Sequence, residues 1–548
     1  MKKLNTMISK ILLLTFLLCF ANTLRAEEDS DKDLANMSLE DLLKVKIQGA
    51  SHEKREANQT PAAVTVITSE EVRLSGARDL KDVLNLVPSI SFNAETQGVL
   101  GISVRGAYGN EGKVLVLIDG EEMNELSYGT YQYGNDFPVE SIARLEVIRG
   151  PGSATHGGFG ELAVINIITK TADDYTGVTA SAQYGRTDST YGEKTLGIGL
   201  AGKKDGWKLS SYIYGGTAQF GTRDYTDQTG NRYNFSGNAL QKPAFVNLGA
   251  SNDRWNIRFI YDDYSITDRT AYGANITAPL GVLFNSINLG VTYTAPIGDS
   301  FTITPEIHLR RQQPWNENET AAFAVSALNY NTTLEGYTAK ITAREQFRSN
   351  LNLHFGAEFS QVEAFDSAPE PTSNLFPGGL QSVSYTHDAV FSELNWDTDF
   401  ANFVVGGRYQ SQNVGGSALV PRLAILKEIG NFHAKLLYSW GFRQPQVENL
   451  RLMPTLSSET TKVYETELGY RFTPEFQTTL NLFTLKVSQP IIYGYANGTQ
   501  SYQNSGEIRN YGLEWDSRFK NKRSMLDINY SYFHPTATPI DYQVPTDS

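Results

Sequence analysis

IARLEVIRGPGSATHGGFGELAVINIITK, residues 142–170, sets a glycine-rich run between two apolar, strand-like stretches. Glycine at this density marks backbone that turns tightly or approaches a neighbour closely. Two phosphate-binding readings fit part of the stretch. Gly152 and Gly157 have the spacing of a phosphate loop, but Gly158 and Phe159 stand where a lysine and a hydroxyl must reach phosphate and metal. Gly158, Gly160 and Ala163 match G-x-G-x-x-A, but VINIITK follows as a strand where a helix must begin. Both fail, which leaves tight turns joining strands.

Outward from this stretch toward the C-terminus, from Gly177 on, the pattern has period two. Leu526, Ile528, Tyr530 and Tyr532 alternate with Asp527, Asn529 and Ser531. Tyr464, Leu468 and Tyr470 alternate with Glu465, Glu467 and Arg471. Such alternation puts an aromatic-tipped apolar face opposite a charged one. That suits lipid outside and a polar lumen inside, although a sandwich alternates too. Connection lengths decide between them. Gly202–Gly206, Ser251–Arg254, Pro296–Asp299, Phe347–Asn350 and Thr473–Glu475 are short; Gly215–Lys242, Ser265–Gly281, Arg311–Thr333, Val362–Val383 and Ser488–Gly506 are long. Short turns at one end and long loops at the other belong to a transmembrane antiparallel β-barrel. About 17 candidate strands follow Gly177, an odd number where single-chain bacterial barrels are even. The expectation is a barrel over 176–548 that is incomplete at its C-terminus.

The start of the chain is a secretory signal over 1–26: Lys2 and Lys3, an apolar core at Ile11–Ala21, and a small residue, Ala26, at the cleavage position. Cys19, the only cysteine, lies inside it, so the mature chain is expected to hold no disulfide, thiolate metal site or cysteine nucleophile. Losing Lys2, Lys3, Lys10 and Arg25 takes the net charge from −13 to −17, which disfavours nucleic acid as a partner. No later segment is long and apolar enough for a spanning helix.

The region between signal and barrel reads as a periplasmic segment over 27–60 and a compact α+β domain over 61–172. SLEDLLKV has helical spacing, PAAVTVITSEEV is a strand followed by a helix capped by Ser69, and DLKDVLNLVP is a short amphipathic helix. ISVRGA, KVLVLIDGEE, ARLEVIRG and AVINIITK are short strands.

These segments, in this order, resemble the plug of TonB-dependent outer-membrane receptors, with SWGFRQP, YETELGYRF and YGLEWDSRF similar to that family's late barrel strands. The resemblance covers essentially the whole chain. It implies an N-terminal α+β plug inside the lumen of a 22-stranded barrel, about five strands more than are present. It implies a siderophore-receptor-like importer rather than an enzyme, with no cofactor and no resident metal. Its partners would be a TonB-type periplasmic energy-coupling protein, outer-membrane lipid and a small-molecule ligand such as an iron chelate.

The resemblance also distributes roles. A plug–barrel lock would join Arg105 and Arg149 to Glu467 and Glu514 through arginine forks. Periodicity independently puts Glu467 on the polar face, with Glu465 beside it. A coupling strand would be Lys44, Val45, Lys46, Ile47, Gln48, Gly49 and Ala50, whose alternation suits an added edge strand. Ligand contacts would come from the outward apices 92–100, 106–112 and 123–132, with Tyr108, Tyr128 and Tyr131. GFRQP resembles a motif of haem-uptake relatives, but no histidine lies between it and His534, and His156 in the glycine run faces a turn; haem is disfavoured. A ferric siderophore leads on family frequency, with haem, cobalamin, a nickel chelate or an oligosaccharide as alternatives. A passive porin or adhesin barrel is the competing class. An enzyme needs a nucleophile, base and orienter or a metal cluster, and the sequence offers none.

Overall fold

The computed structural model describes residues 45–537, apart from 48, 96–97, 188–190, 220, 222, 228, 269–279, 318–330, 367–375, 377–379, 497–498 and 522–523. The signal, the SLEDLLKV helix, Lys44 and Gln48 therefore lie outside the described residues.

The opening stretch becomes two strands of one sheet. Ile142–Arg149 and Ala163–Thr169 pair antiparallel, flanked by Ala63–Thr68 on one side and by Val114–Ile118, parallel, on the other. All four strands are almost wholly buried, which explains their continuous apolar runs. Two helices and a three-stranded sheet, Ile90–Ala94, Leu100–Val104 and Ala107–Tyr108, pack beside this sheet. Ser69–Ser75 is capped by Thr68, not Ser69: the Thr68 side chain accepts from the Glu71 N–H while Glu71 accepts from the Thr68 N–H, a capping box. Leu80–Leu84 is capped by Asp79 and buries Leu80, Val83 and Leu84 against Ile67, Val116 and Leu145. Burying each such side chain contributes about 1.5–3 kcal/mol.

From Gly177 the chain forms one antiparallel order that runs from Gly177–Arg186 to Met525–Ala537. Of its 18 strands, Leu280–Tyr293 and Ala295–Ile297 both pair with Phe301–Glu317 and make a single crossing, so the crossings among the described residues number 17. The expected count is met. Among the described residues no ladder joins the first strand to the last.

Alternation is plain in Gly416–Ile429, where Leu419, Leu423 and Ile425 face out and Val420, Arg422, Ala424 and Leu426 are buried. Aromatic pairs sit beside the short turns: Trp255 with Tyr293 at 4.5 Å between ring centres, Trp396 with Phe403 at 5.9 Å, and Phe472 with Phe476 at 5.2 Å. Aromatic pairs at one rim are what the girdle of a membrane β-barrel is built from. No helix among the described residues is long and apolar enough to cross a membrane.

The lumen wall departs from the simple polar expectation. Tyr214, Phe245, Ile260, Phe483 and Leu485 point inward and join the plug's own core, with Phe137 edge-on to Phe245 at 5.3 Å. Plug and wall thus share one apolar core on this side.

Candidate functional site

The glycine run is a docking loop. Between its two strands it makes one helical turn, Ser153–His156, closed by Gly152 N–H donating to Gly160 O at 2.7 Å. A Cβ on Gly150, whose φ is +104°, would stand 2.8 Å from Glu465 Oε1 on the barrel wall. From the wall side, a Cβ on Gly441 would meet Glu161 O at 2.6 Å. The Phe442 N–H donates to Ser153 Oγ at 3.2 Å, and Thr461 donates to Glu161 at 2.6 Å. Close backbone approach to the wall, not phosphate, is what these glycines serve.

Beside this loop lies the charge lock. Arg105 forks onto Glu514, Nε to Oε1 at 2.9 Å and an Nη to Oε2 at 3.2 Å, and donates to Glu465 at 2.6 Å. Arg149 reaches the same Glu514 at 2.7 Å. Asn481 bridges the two carboxylates at 3.0 Å each, and the Arg105 guanidinium lies 4.5 Å over the Phe483 ring. Arg105 holds φ +54°, a left-handed conformation that costs energy for a non-glycine residue, and its carbonyl is fixed by Asn510 at 2.9 Å. Arg105 and the three polar wall residues Glu465, Glu514 and Asn481 are buried. Charge-assisted pairs in such a dry setting are strong, and removing one partner of a pair is costly.

One expected member is displaced. Glu467 is held by Lys435 at 2.9 Å and His433 at 3.2 Å, and Glu465 meets Arg105 instead. Both acids face the lumen, two residues apart; Glu467 lies one pleat nearer the short turn after Thr473, below the reach of the plug arginines. Lys435 in turn donates to the Ala57 and Ala62 carbonyls at 3.0 Å each. A further plug–wall cluster had no sequence signal beyond lone charges: Lys113 on Glu459 at 3.1 Å, with Arg443 at 3.7 Å. Arg443 is fully buried here.

The candidate coupling strand survives as Lys46–Ile47, but one of its edges is already used. It pairs antiparallel with Arg55–Glu56, and Ile47 packs in a small core with Ala62, Leu115, Ile148 and Val164. Barrel residues tie the segment down. Arg422 donates to the Ala50 and Pro61 carbonyls, Ser51 bonds Glu393, and Arg55 pairs with Asp397 at 2.9 Å. Glu53 meets Arg344 at 3.1 Å and His354 at 2.9 Å. His156, from the glycine run, contacts Gly49 O at 2.7 Å, and the Gly49 N–H donates to Glu146 at 3.3 Å. Burial pushes the His156 imidazole down to about 4, so it is neutral, and its Nε2 is engaged by the Gly49 carbonyl.

The three tyrosines fall in different settings. Tyr131 is 5% exposed and packs edge-on to Tyr133 at 5.3 Å, a core residue rather than a ligand contact. Tyr128 is half-buried at the long-loop end, edge-on to Trp315 at 5.7 Å. Tyr108 is half-buried beside Gly106, whose φ is +74°. Among the described residues, no group of three or more His, Asp or Glu side chains is placed to hold a metal ion.

A cavity of about 150 Å³ separates the plug from the wall away from the lock. Thr155, His156, Gly158 and Phe159 of the glycine run and the Gly120–Glu122 turn form its plug side. Strands Phe301–Glu317, Thr332–Arg348, Leu351–Asp366, Ser382–Asp397 and Asn402–Gln412 form its wall, with Gln444–Val447 at the long-loop end.

Comparison with known proteins agrees with this architecture. Residues 56–161 match the TonB-dependent receptor plug domain, and residues 203–548 match the TonB-dependent receptor-like β-barrel. A vitamin B12 transporter BtuB of Vibrio vulnificus is 26% identical over 439 residues, covering 78% of this chain. The chain spans 66% of that relative's length, just under two thirds. One from Vibrio cholerae is 22% identical over 424 residues, covering 63% of this chain and 68% of the relative. Among solved structures, the ferric enterobactin receptor PfeA of Pseudomonas aeruginosa superposes with a TM-score of 0.69 at 16% identity, covering 89% of this chain and 82% of that one. The siderophore receptor PirA of Acinetobacter baumannii gives 0.67 at 17% identity, covering 86% and 80%. At such identities these structures speak for the fold. With a plug and a barrel matched in order, and the barrel match alone spanning more than half the sequence, the chain belongs to the TonB-dependent receptor family.

Proposed function

We propose that this chain is an energised receptor of the bacterial outer membrane that imports a scarce ligand past its plug. The observation that carries this reading is a plug fastened to one wall by buried charges while its N-terminal segment is held by separable bonds at Ser51, Glu53, Arg55 and the Ala50 carbonyl. A passive pore needs neither device. Lys44–Ala50 is the coupling strand, and a TonB-type periplasmic protein is its partner. An added strand would pair with the edge of Lys46–Ile47 that Arg55–Glu56 does not occupy, or replace that pairing.

The ligand is a metal chelate, with a ferric siderophore as the first reading. A corrinoid is the second, favoured by the relatives named as vitamin B12 transporters. The test is uptake by cells that express this receptor with and without Lys44–Ala50, offered radiolabelled ferric siderophores, haem and cyanocobalamin in turn. Uptake of one form that disappears on deletion supports the reading. Uptake indifferent to the deletion points to a passive barrel.

A further inference from the structure

The wall of the cavity carries a directed chain of amides. Arg408 can only donate, and its Nε gives a hydrogen bond to Gln410 Oε1 at 2.9 Å. That fixes the orientation of Gln410, whose Nε2 donates to Gln444 Oε1 at 2.6 Å. His387 Nδ1 lies 3.0 Å from the same oxygen, and therefore carries the proton. Its Nε2 is then an acceptor, facing Gln412 Nε2 at 3.3 Å. The chain leaves one atom over at each end. Gln444 Nε2, a donor, and Gln412 Oε1, an acceptor, are buried and have no partner among the described residues. Both side chains line the cavity, and Gln444 is 1% and Gln412 7% exposed. Buried amide atoms left unmet are costly and few in folded proteins.

The charges around the same cavity are, by contrast, already matched. Arg310 pairs with Glu122 at 3.2 Å, Lys340 with Glu306 at 3.3 Å, and His308 with Glu121 at 2.9 Å. An anionic chelate would find no spare cation among these residues, and Gln412 Oε1 would repel it. An uncharged group that accepts from Gln444 or donates to Gln412 suits these ends. Gln412 ends the strand Asn402–Gln412, and Gln444 follows the strand Phe432–Arg443. Both lie at the long-loop end, where a ligand enters.

We propose that Gln412 and Gln444 form a ligand subsite between plug and wall that takes an uncharged carboxamide- or hydroxyl-bearing group of the imported molecule. The inference rests on the receptor reading above and narrows its ligand to chelates without net charge: a ferric trishydroxamate or a corrinoid rather than a ferric triscatecholate. The cavity of about 150 Å³ holds such a group, not a whole chelate.

The test measures binding to the purified receptor in detergent with three probes: ferrichrome, an uncharged ferric trishydroxamate; cyanocobalamin, which presents several carboxamides; and ferric enterobactin, an anionic triscatecholate. Gln444→Glu keeps the acceptor for Gln410 and His387 but removes the free donor. The expected result is binding of ferrichrome or cyanocobalamin that weakens about tenfold or more in Gln444→Glu, with heat-modifiable migration unchanged. Should that variant fail to fold, Gln412→Leu, which removes the free acceptor, is expected to weaken the same probe about tenfold. Uncharged-probe binding that stays within about twofold in whichever variant folds would overturn the proposal. Binding of ferric enterobactin alone would overturn it and leave the receptor reading intact. Binding of none of the three would overturn it together with the chelate reading beneath it.

Discussion

The plug meets its barrel in two different ways. On the side of strands Glu459–Thr473 and Glu507–Lys520 it is locked: two arginines, two carboxylates and a bridging asparagine interlock, and the apolar core runs on into the wall. On the side of strands Phe301–Glu317 to Asn402–Gln412 there is a cavity, walled by amides with two ends unmet. The same glycine run touches both sides, with Gly150 against Glu465 and His156 and Phe159 along the cavity. Under the function proposed above, the first would be the anchor of a plug that yields without leaving, and the second the face that accepts change.

The comparison breaks most severely at Glu514. Glu514→Ala leaves Arg105 and Arg149 buried with one carboxylate between them, and is expected to weaken plug seating by about 3–5 kcal/mol. Limited proteolysis of the intact barrel reads this as new cleavage within 100–150. Glu467→Ala at the neighbouring acid should leave that region resistant, because its partners are Lys435 and His433.

A smaller effect separates the tether from the lock. Arg422→Ala removes the donor to the Ala50 and Pro61 carbonyls, which leaves those acceptors unmet at about 1–3 kcal/mol. Protease access should rise across 45–60 while 100–150 stays protected.

Acid should act on the tether in the same direction. Although burial opposes it, the bond from His354 and the charge of Arg344 pull the Glu53 carboxyl down to about 2 from 4.5. That stabilisation is present above about pH 4.5 and is lost as pH falls toward 2. His156 is pushed down by burial, to about 4 from 6.5, so the unfolded segment takes up the proton first and stability falls on acidification through that window. Proteolysis at 45–60 should therefore quicken as pH falls from 6.5 to 2, and His156→Gln should flatten the upper part of that change, between 6.5 and 4. The smallest effect is expected at the girdle: Phe472, 55% exposed and stacked on Phe476, should cost under about 1 kcal/mol as Phe472→Ala in thermal unfolding.

The barrel was legible because its signals are local. Alternation in residues 464–470 and 526–532 and the sorting of turns by length follow from one strand at a time, and the 17 crossings came out as counted. Arg105, Arg149 and Glu514 were legible through family resemblance, but the choice of Glu465 over Glu467 was not. Both acids face the lumen, and only the height of the plug arginines against the wall separates them. Tyr131 was misread as an apex contact because an aromatic beside glycine looks the same in sequence whether it faces solvent or a core. The amide chain of Gln410, Gln412, His387 and Gln444 gave no signal at all. Its members come from two neighbouring strands and the loop after a third, and glutamines on a lumen face are unremarkable until their hydrogen bonds are traced.

Native-state hydrogen exchange followed by mass spectrometry tests the two-sided attachment most directly. The account predicts slowest exchange in Leu100–Val104 and Ile142–Arg149, against the lock, with much faster exchange in the two-residue pairing at Lys46–Ile47 and in the Gly120–Glu122 turn on the cavity. Uniform protection across the plug, or exchange faster at the lock than at the cavity, would contradict it.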